Sequence, residues 1–500
     1  MNEPRKVTTR NIILYGLGDI FGGGSFLLIS MFYLFFLTEE VGLSPLIAGI
    51  VLGAGKAWDA IADPLMGHIS DRTHSRFGRR RVYFLAGVLP IALSFYLLWI
   101  PLRGASQLAT ALYYGLAYVV FNTVFTMVMV PYSALSAEMT SDYRARNLLT
   151  GSRTLCSLLS AGLAGTTPSL ILARAPSPAS GYLRVGLVFG LIYALPFLLV
   201  FAGTWEMERP PREHPPFRLA EAVRGSLSLL ENRSFRVHIA MYICAYTAMD
   251  ALMILFRYYL RWDIGKDIMP QTMGALMAGQ ILTIPFYVRL ANRRGQAVAF
   301  RVGLSIFAAG MALSYALGSA SPLPVIMAVC ALIGAGLSAA VMVPWAILPS
   351  IVDVDELMTG EARSGAYAGA MTLLRKLVQG LLATPAISLA LTLIGYVEGA
   401  GGGASRAQSP ETVARLKVLF FAMPSVFIVL AVVASLRFLI TPETQALLRR
   451  EIERLRKGGS REGASPETRA AVEAVTGKPY EAILATPTPR ALTTAEGASA

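Results

Sequence analysis

Runs of about 20 or more apolar residues, each long enough as a helix to cross a hydrocarbon core, recur along the chain with short polar connections between them. Twelve such runs are legible, at 11–37, 45–70, 82–101, 108–136, 150–173, 184–205, 236–260, 271–291, 299–318, 323–349, 364–395 and 414–439. A transmembrane β-barrel would instead show short alternating strands. The longest interval, 206–235, carries Glu206, Glu208, Arg209, Arg212 and the prolines Pro210, Pro211, Pro215 and Pro216. It divides the pattern into two sets of six. The expected fold class is therefore an all-α membrane protein of twelve transmembrane helices in two six-helix halves, 11–205 and 236–440. A central loop (206–235) joins the halves, and a tail (441–500) follows them.

Between the runs the pattern adds detail. Phe217, Ala220, Val223, Leu227 and Leu230 fall at helical spacing in the central loop and predict a surface helix against the inner leaflet, with a plain linker as the alternative. Residues 443–457 alternate Arg and Glu and predict a solvated helix; beyond them an Ala-, Thr-, Pro- and Gly-rich stretch predicts disorder. The link 67–81 and its counterpart 291–301 are both rich in Gly and Arg, as a duplicated six-span unit would leave them.

Composition agrees with the pattern: 54% hydrophobic and 15% charged residues, with a mean hydropathy of +0.55. Soluble domains carry more charge. The net charge of +13 would suit nucleic acid, but its placement argues against that partner. Basic residues gather on every second connection, at 5–10, 72–81, 144–153, 209–236, 289–301 and 437–461, and the alternate connections carry few. By the positive-inside rule the basic loops are cytoplasmic, so both termini are expected inside a cell membrane, the bacterial inner membrane. The basic start at 5–10 precedes an apolar run too long for a signal-peptide core and reads as a retained first span. Cys156, Cys244 and Cys330 all sit inside apolar runs and read as small hydrophobes.

Within the apolar runs, charge is costly and is kept where it pairs or does work. The stretch Lys56-Ala57-Trp58-Asp59-Ala60-Ile61-Ala62-Asp63-Pro64 lies near the middle of the second run. Asp59 and Asp63, four apart, share one helix face, with Lys56 one turn before them. Pro64 removes the N–H that would pair the carbonyl of Ala60. Two carboxylates and a freed carbonyl suit Na⁺ or H⁺; the alternative is a salt-bridge cluster with Lys56 or another cation. Arg375 and Lys376 lie deep in the eleventh run. Neighbours on a helix point about 100° apart, so one of them reaches the carboxylates, and Lys376 is the expected partner. Asp19 and Asp250 are single carboxylates in the first and seventh runs, each a cavity residue or the partner of a nearby arginine such as Arg257. Arg153, at the start of the fifth run, either binds an anionic group or snorkels to the interface.

Asp71 and Arg72, with Arg76 and Arg79–Arg81, form a charged loop, and Asp353, Asp355, Glu356 and Glu361 with Arg363 form an acidic connection before the eleventh run. Opposite charges on opposite halves would hold a reversible gate. His68, His74, His214 and His238 have no metal-ligand spacing, and no Walker-type loop occurs. The chain reads as a non-enzyme without a cofactor, driven by an ion gradient.

The chain resembles the glycoside–pentoside–hexuronide:cation symporters of the major facilitator superfamily, the melibiose-carrier type. The resemblance is carried by Tyr15-Gly16-Leu17-Gly18, Trp58-Asp59-Ala60-Ile61-Ala62-Asp63-Pro64, Gly67, Arg76-Phe77-Gly78-Arg79, Pro131-Tyr132-Ser133-Ala134-Leu135, Val352-Asp353 and Leu393-Ile394-Gly395-Tyr396. It implies the major facilitator fold and alternating access. It implies Asp59, Asp63 and Thr126 as cation ligands, Lys376 as the lysine of the eleventh span, Arg153 as the arginine of the fifth, and Lys56 where the family has an arginine. The family's two sugar-holding carboxylates fall on Gly23 and Met129, and its stacking tryptophan on Ser133; Asp19 offers an acceptor one turn from Gly23. The same family includes sodium-dependent lysophospholipid symporters, and the apolar Gly23 and Met129 suit an amphiphile. The expectation is cation-coupled symport of a sugar or glycoside, with a lysophospholipid as the alternative substrate and a non-transporting scaffold or receptor as the alternative class. The expected partners are a small-molecule substrate and membrane lipids, with the chain working as a monomer.

Overall fold

The computed structural model describes residues 7–102, 104, 106–140, 143–207, 225, 227–360, 363–399, 406–457, 459 and 463–482. Among them there is no strand. Six helices form the first half: α1 (Thr9–Tyr33), α2 (Pro45–Arg72), α3 (Val82–Leu98), α4 (Gln107–Met139), α5 (Tyr143–Ala173) and α6 (Pro178–Gly203). Six form the second: α7 (Arg233–Ile264), α8 (Met269–Arg294), α9 (Gln296–Tyr315), α10 (Leu323–Thr359), α11 (Ser364–Leu393) and α12 (Pro410–Leu436). Eleven of these are long and apolar enough to cross a membrane. The remaining one, α3, has 17 residues and spans about 25 Å at 1.5 Å per residue. The expected run 82–101 thus yields a short helix, which ends where Trp99 caps it.

One helix start and one helix end differ from the reading of the sequence. α5 begins at Tyr143, before the expected 150, so Arg153 is ten residues inside the helix. α10 runs to Thr359, so Asp353, Asp355 and Glu356 belong to its last turns and not to a connection. Most of the central loop, including 217–224 of the expected surface helix, lies outside the described residues, as does Glu361.

Leu108, Leu112 and Leu116 of α4, Leu89 and Leu93 of α3, and Val426, Val429 and Val433 of α12 are exposed. A protein in water would bury such ridges; here they form the outward surface that hydrocarbon covers. Inside the first half an aromatic core joins α1, α3, α4 and α6, with Phe21 against Phe125, Tyr193 and Phe197, and Phe95 against Tyr193. The second half relies on small residues, because backbones without a hydrophobic drive between helices gain by close approach. A Cβ on Gly334 of α10 would fall on the carbonyl oxygen of Leu276 on α8. We expect Gly334→Ala to destabilise the protein by about 1–3 kcal/mol through overpacking. Gly369→Ala, where a Cβ meets open space, should not. Thermal unfolding in detergent compares them, and equal melting temperatures would refute the close-packing account.

After α12 the chain forms α13 (Pro442–Arg456) and α14 (Pro466–Thr476). The reading of 443–457 as a solvated helix needs correction: Leu448, Glu451, Ile452 and Leu455 are buried. Arg449 pairs with Asp353 at 3.3 Å, and Arg456 pairs with Glu356. The segment expected to be disordered contains α14, which Ser234 Oγ of α7 ties down by donating to the carbonyl of Val475 at 2.6 Å. The sequence shows charge alternation; the apolar stripe 448–452–455 within it is what packs. Residues 483–500 lie outside the described residues.

Candidate functional site

α2 presents Lys56, Asp59 and Asp63 toward α4 and α11. Thr126 of α4 donates its hydroxyl toward both carboxylates, at 3.0 Å from Asp59 Oδ1 and 2.9 Å from Asp63 Oδ1. A single hydroxyl hydrogen serves one of them at a time. Lys376 of α11 lies 2.9 Å from Asp59 Oδ2 and 2.5 Å from Asp63 Oδ2. Asp59 and Thr126 are buried, while Asp63 and Lys376 keep 29% and 17% of their side chains accessible. The site is therefore reached from one side, through Asp63. Its oxygen donors, two carboxylates and a hydroxyl, are those that hard cations take.

The arrangement spans the two halves. Asp59, Asp63 and Thr126 belong to the first, Lys376 to the second. α11 is broken by a wide π-helical turn at Gln379–Ala383, immediately after Lys376. There Gly380 packs against the backbone of Gly53 and Ala57 on α2. Glycine at that point allows the helices to approach closely enough for a lysine to reach both carboxylates.

Lys56 does not complete this cluster as the sequence suggested. Its ammonium lies over the ring of Phe26, 3.3 Å from the centroid, a cation–π contact. Arg375 turns away from Lys376, as adjacent helical residues must. It lies over Tyr246 at 4.1 Å and 3.8 Å from Asp250. Arg257, an alternative partner for Asp250, lies instead over the rings of Phe32 on α1 and Phe35 just after it. Arg153 pairs with Asp19 at 3.3 Å and lies over Tyr132 at 5.1 Å. Tyr132 stacks on Tyr15 with 4.7 Å between centroids, and each hydroxyl donates to the other's carbonyl.

Gly23 and Met129 are placed by packing. A Cβ on Gly23 would fall on Ser157 of α5, so Gly23 seats α1 against α5 and does not line open space. Met129 is buried, with its methyl beside Gly22.

The expected gate residues do not meet across the halves. Asp71 pairs with Arg80 at 2.6 Å, and Arg79 and Arg80 pair with Glu138 of α4 at 2.7 and 2.8 Å. Arg72 is exposed. Glu206 accepts the backbone N–H groups of Arg79, Arg80 and Arg81. That is where a carboxylate caps a helix start. Asp355 is held by Arg363, at 2.8 and 2.6 Å, and by Tyr367 at 2.9 Å. The roles of Glu138 and Glu206 went unnoticed in the sequence because nothing in their spacing marks partners 59 and 127 residues away.

At the opposite end the halves are joined. Thr38 bonds Tyr258 at 2.8 Å, Tyr396 donates to Glu39 at 2.6 Å, and Gly399 N–H donates to the carbonyl of Thr38 at 3.0 Å. A cavity of about 310 Å³ lies beyond this seam, lined among others by Glu39, Tyr182, Arg257, Arg261 and Lys266. It is separate from the carboxylate site.

Residues 14–442 match a family model described as MFS/sugar transport protein. An uncharacterized symporter of Synechocystis is 27% identical, over 90% of this chain and 97% of its own length. A glucuronide carrier protein homolog of Escherichia coli is 23% identical, over 87% of this chain and 92% of its own. A sodium-dependent lysophosphatidylcholine symporter of Danio rerio is 22% identical, over 85% of each. The inward-facing structure of a bacterial homologue of the lysosomal transporter Spinster superimposes with a TM-score of 0.61 at 12% identity, covering 85% of this chain and 94% of that one.

Proposed function

The chain belongs to the MFS/sugar transport protein family, and from that premise we propose that it carries a sugar or glycoside across the membrane together with a cation. The observation that carries this reading is Lys376 of one half bridging Asp59 and Asp63 of the other. A Na⁺ or H⁺ that takes the carboxylates releases Lys376. Occupancy of the ion site is then felt by the opposite half, which is what coupling by alternating access requires. The two states differ in which cation neutralises the pair, so the ion has differential affinity for them.

On the basic-loop reading the ion-paired ends are cytoplasmic. The seam at Thr38, Glu39, Tyr258 and Tyr396 then closes the outer side, and this conformation faces inward. Asp63 is accessible while Asp59 is sealed, so the ion exchanges with the cytoplasm by way of Asp63. Both termini are then cytoplasmic, and a reporter joined after Ala500 should report from inside the cell; a signal from outside would overturn the orientation.

A lysophospholipid is the second substrate reading, supported by the relative of that name and by the apolar Met129 beside Asp19. Purified protein in sealed vesicles decides between them. Imposed Na⁺ and pH gradients are applied separately against a panel of sugars, glucuronides and lysophosphatidylcholine. We expect at least about tenfold accumulation of a sugar or glycoside under one gradient, equivalent to about 1.4 kcal/mol of driving free energy. Accumulation of lysophosphatidylcholine alone would replace the sugar, and equal uptake with and without any gradient would remove the coupling.

A further inference from the structure

Helices in equivalent places of the two halves carry the same small constellation. Tyr15 and Asp19 are four apart on α1, and Tyr246 and Asp250 are four apart on α7. Val128-Met129-Val130-Pro131 leads into Tyr132 on α4, and the identical Val341-Met342-Val343-Pro344 leads into Trp345 on α10. Arg153 with Leu155 on α5 is matched by Arg375 with Leu377 on α11.

The contacts repeat as well. Tyr15 stacks on Tyr132, and the indole N–H of Trp345 donates to the hydroxyl of Tyr246 at 3.2 Å. Arg153 faces Asp19, and Arg375 faces Asp250. Each guanidinium lies over an aromatic ring. The same pseudo-twofold relation does not reproduce the ion site. Aligning Pro64 with Pro285 and Pro131 with Pro344 sets Gln280, Ile284 and Ala339 against Asp59, Asp63 and Thr126. One half keeps the cation ligands, and both keep the carboxylate, arginine and aromatics.

The two copies differ in how tightly they are satisfied. Arg153 lies 3.3 Å from Asp19. Arg375 lies 3.8 Å from Asp250, beyond hydrogen-bonding distance, and its buried Nε has no hydrogen-bond partner. Trp345 is 43% exposed beside them, in the middle of a helix whose other face is packed. Arg375 hydrogen-bonds Tyr242 but keeps its Nε donor unused beside a part-exposed indole, and an anionic group would complete that set.

Charge selects the ligand. Around the two constellations and the ion site stand four cations, Arg153, Arg375, Lys376 and the neighbouring Lys56 over Phe26, and four carboxylates, Asp19, Asp59, Asp63 and Asp250. They balance. A bound cation leaves one positive charge in excess and displaces Lys376, the neighbour of Arg375. A solute with one negative group restores neutrality in a low-dielectric bundle, where excess charge is costly.

We propose that Arg375, Asp250, Tyr246 and Trp345 form a second substrate subsite, the counterpart of Asp19, Arg153, Tyr15 and Tyr132, which takes the anionic group of the transported solute. The subsite rests on the symport reading above. The anionic group is a carboxylate on a sugar or the phosphate of a lysolipid, and the probes separate them.

Binding of methyl β-glucuronide, methyl β-glucoside and lysophosphatidylcholine to the purified full chain is measured with and without Na⁺, and again at low pH. Wild-type protein should bind the glucuronide at least about tenfold more tightly than the glucoside, the worth of a charge-assisted hydrogen bond, and more tightly with the cation than without. Arg375→Gln should bring the two affinities to within about threefold, and Arg375→Lys should keep part of the preference. Asp250→Asn removes the competing carboxylate and should tighten the glucuronide several-fold, a gain that misfolding cannot produce. If Arg375→Gln weakens lysophosphatidylcholine and the wild type ignores both glycosides, the subsite stands with phosphate as its ligand. Equal loss of glucoside and glucuronide in Arg375→Gln, or glucuronide binding weakened by Asp250→Asn, overturns the subsite while leaving symport intact. A wild type that binds the cation and none of the three probes overturns the substrate reading and the subsite with it.

Discussion

Replacing Asp59 with asparagine is expected to abolish gradient-driven accumulation while leaving the protein folded in the membrane. Asp59 is fully buried and is held by Thr126 and Lys376. The amide keeps the shape and can still accept from Thr126, but it removes one of the two charges that attract a cation. Removing one partner of a buried ion pair costs about 3–5 kcal/mol, and the ion site should lose affinity by a comparable amount, two orders of magnitude or more. Folding should suffer less, because Lys376 retains Asp63 at 2.5 Å and is itself partly accessible. Asp63→Asn should act in the same direction. Cation-dependent melting shifts and vesicle uptake measure the two effects separately. Concentrative uptake that persists with both carboxylates replaced would show that the coupling ion binds elsewhere.

Lys376→Gln is expected to separate binding from coupling. Without the ammonium, Asp59 and Asp63 face each other with no positive charge between them, and a cation no longer has to displace one. Cation affinity should rise by about tenfold or more, given that hydrogen bonds to charged groups contribute about 1.5–3 kcal/mol each. Concentrative uptake should nevertheless fall by about a hundredfold, or about 2.7 kcal/mol in the coupled step, because ion occupancy no longer changes anything on the second half. The protein without cation should melt at a lower temperature than the wild type, and added Na⁺ or protons should restore it through ligand linkage. Unchanged or weaker cation affinity in this variant would mean that Lys376 does not compete for the site, and the proposed coupling would fail.

Much of the site was legible because a hydrocarbon surround makes charge conspicuous. Asp59, Asp63 and Lys376 stand out in apolar runs, and the four-residue spacing of the carboxylates puts them on one helix face before any fold is known. The second constellation was less visible. Tyr246 and Trp345 are ordinary residues of a membrane helix taken singly, and only the recurrence of Val-Met-Val-Pro before an aromatic marks them. The gate partners expected from the sequence are not the ones this conformation shows. Asp353 and the arginines of the 72–81 loop have opposite sign, but a sign match does not say which partner is nearer. α13 of the tail supplies Arg449 and Arg456, and α4 of the first half supplies Glu138.

The sequence by itself determined the solvent, the secondary structure and the depth of the ion site. Those follow from apolar length and from the cost of intramembrane charge, which are local properties of the chain. Only the tertiary structure decided other partners: Phe26 rather than the carboxylates for Lys56, Arg375 rather than Arg257 for Asp250, and Ser157 rather than substrate for Gly23. Which face of α11 meets α2 depends on where Gly380 lets two backbones approach and on how the turn at Gln379–Ala383 rotates the helix. Those are relations between segments more than 300 residues apart, and side-chain reach over a few ångströms settles them.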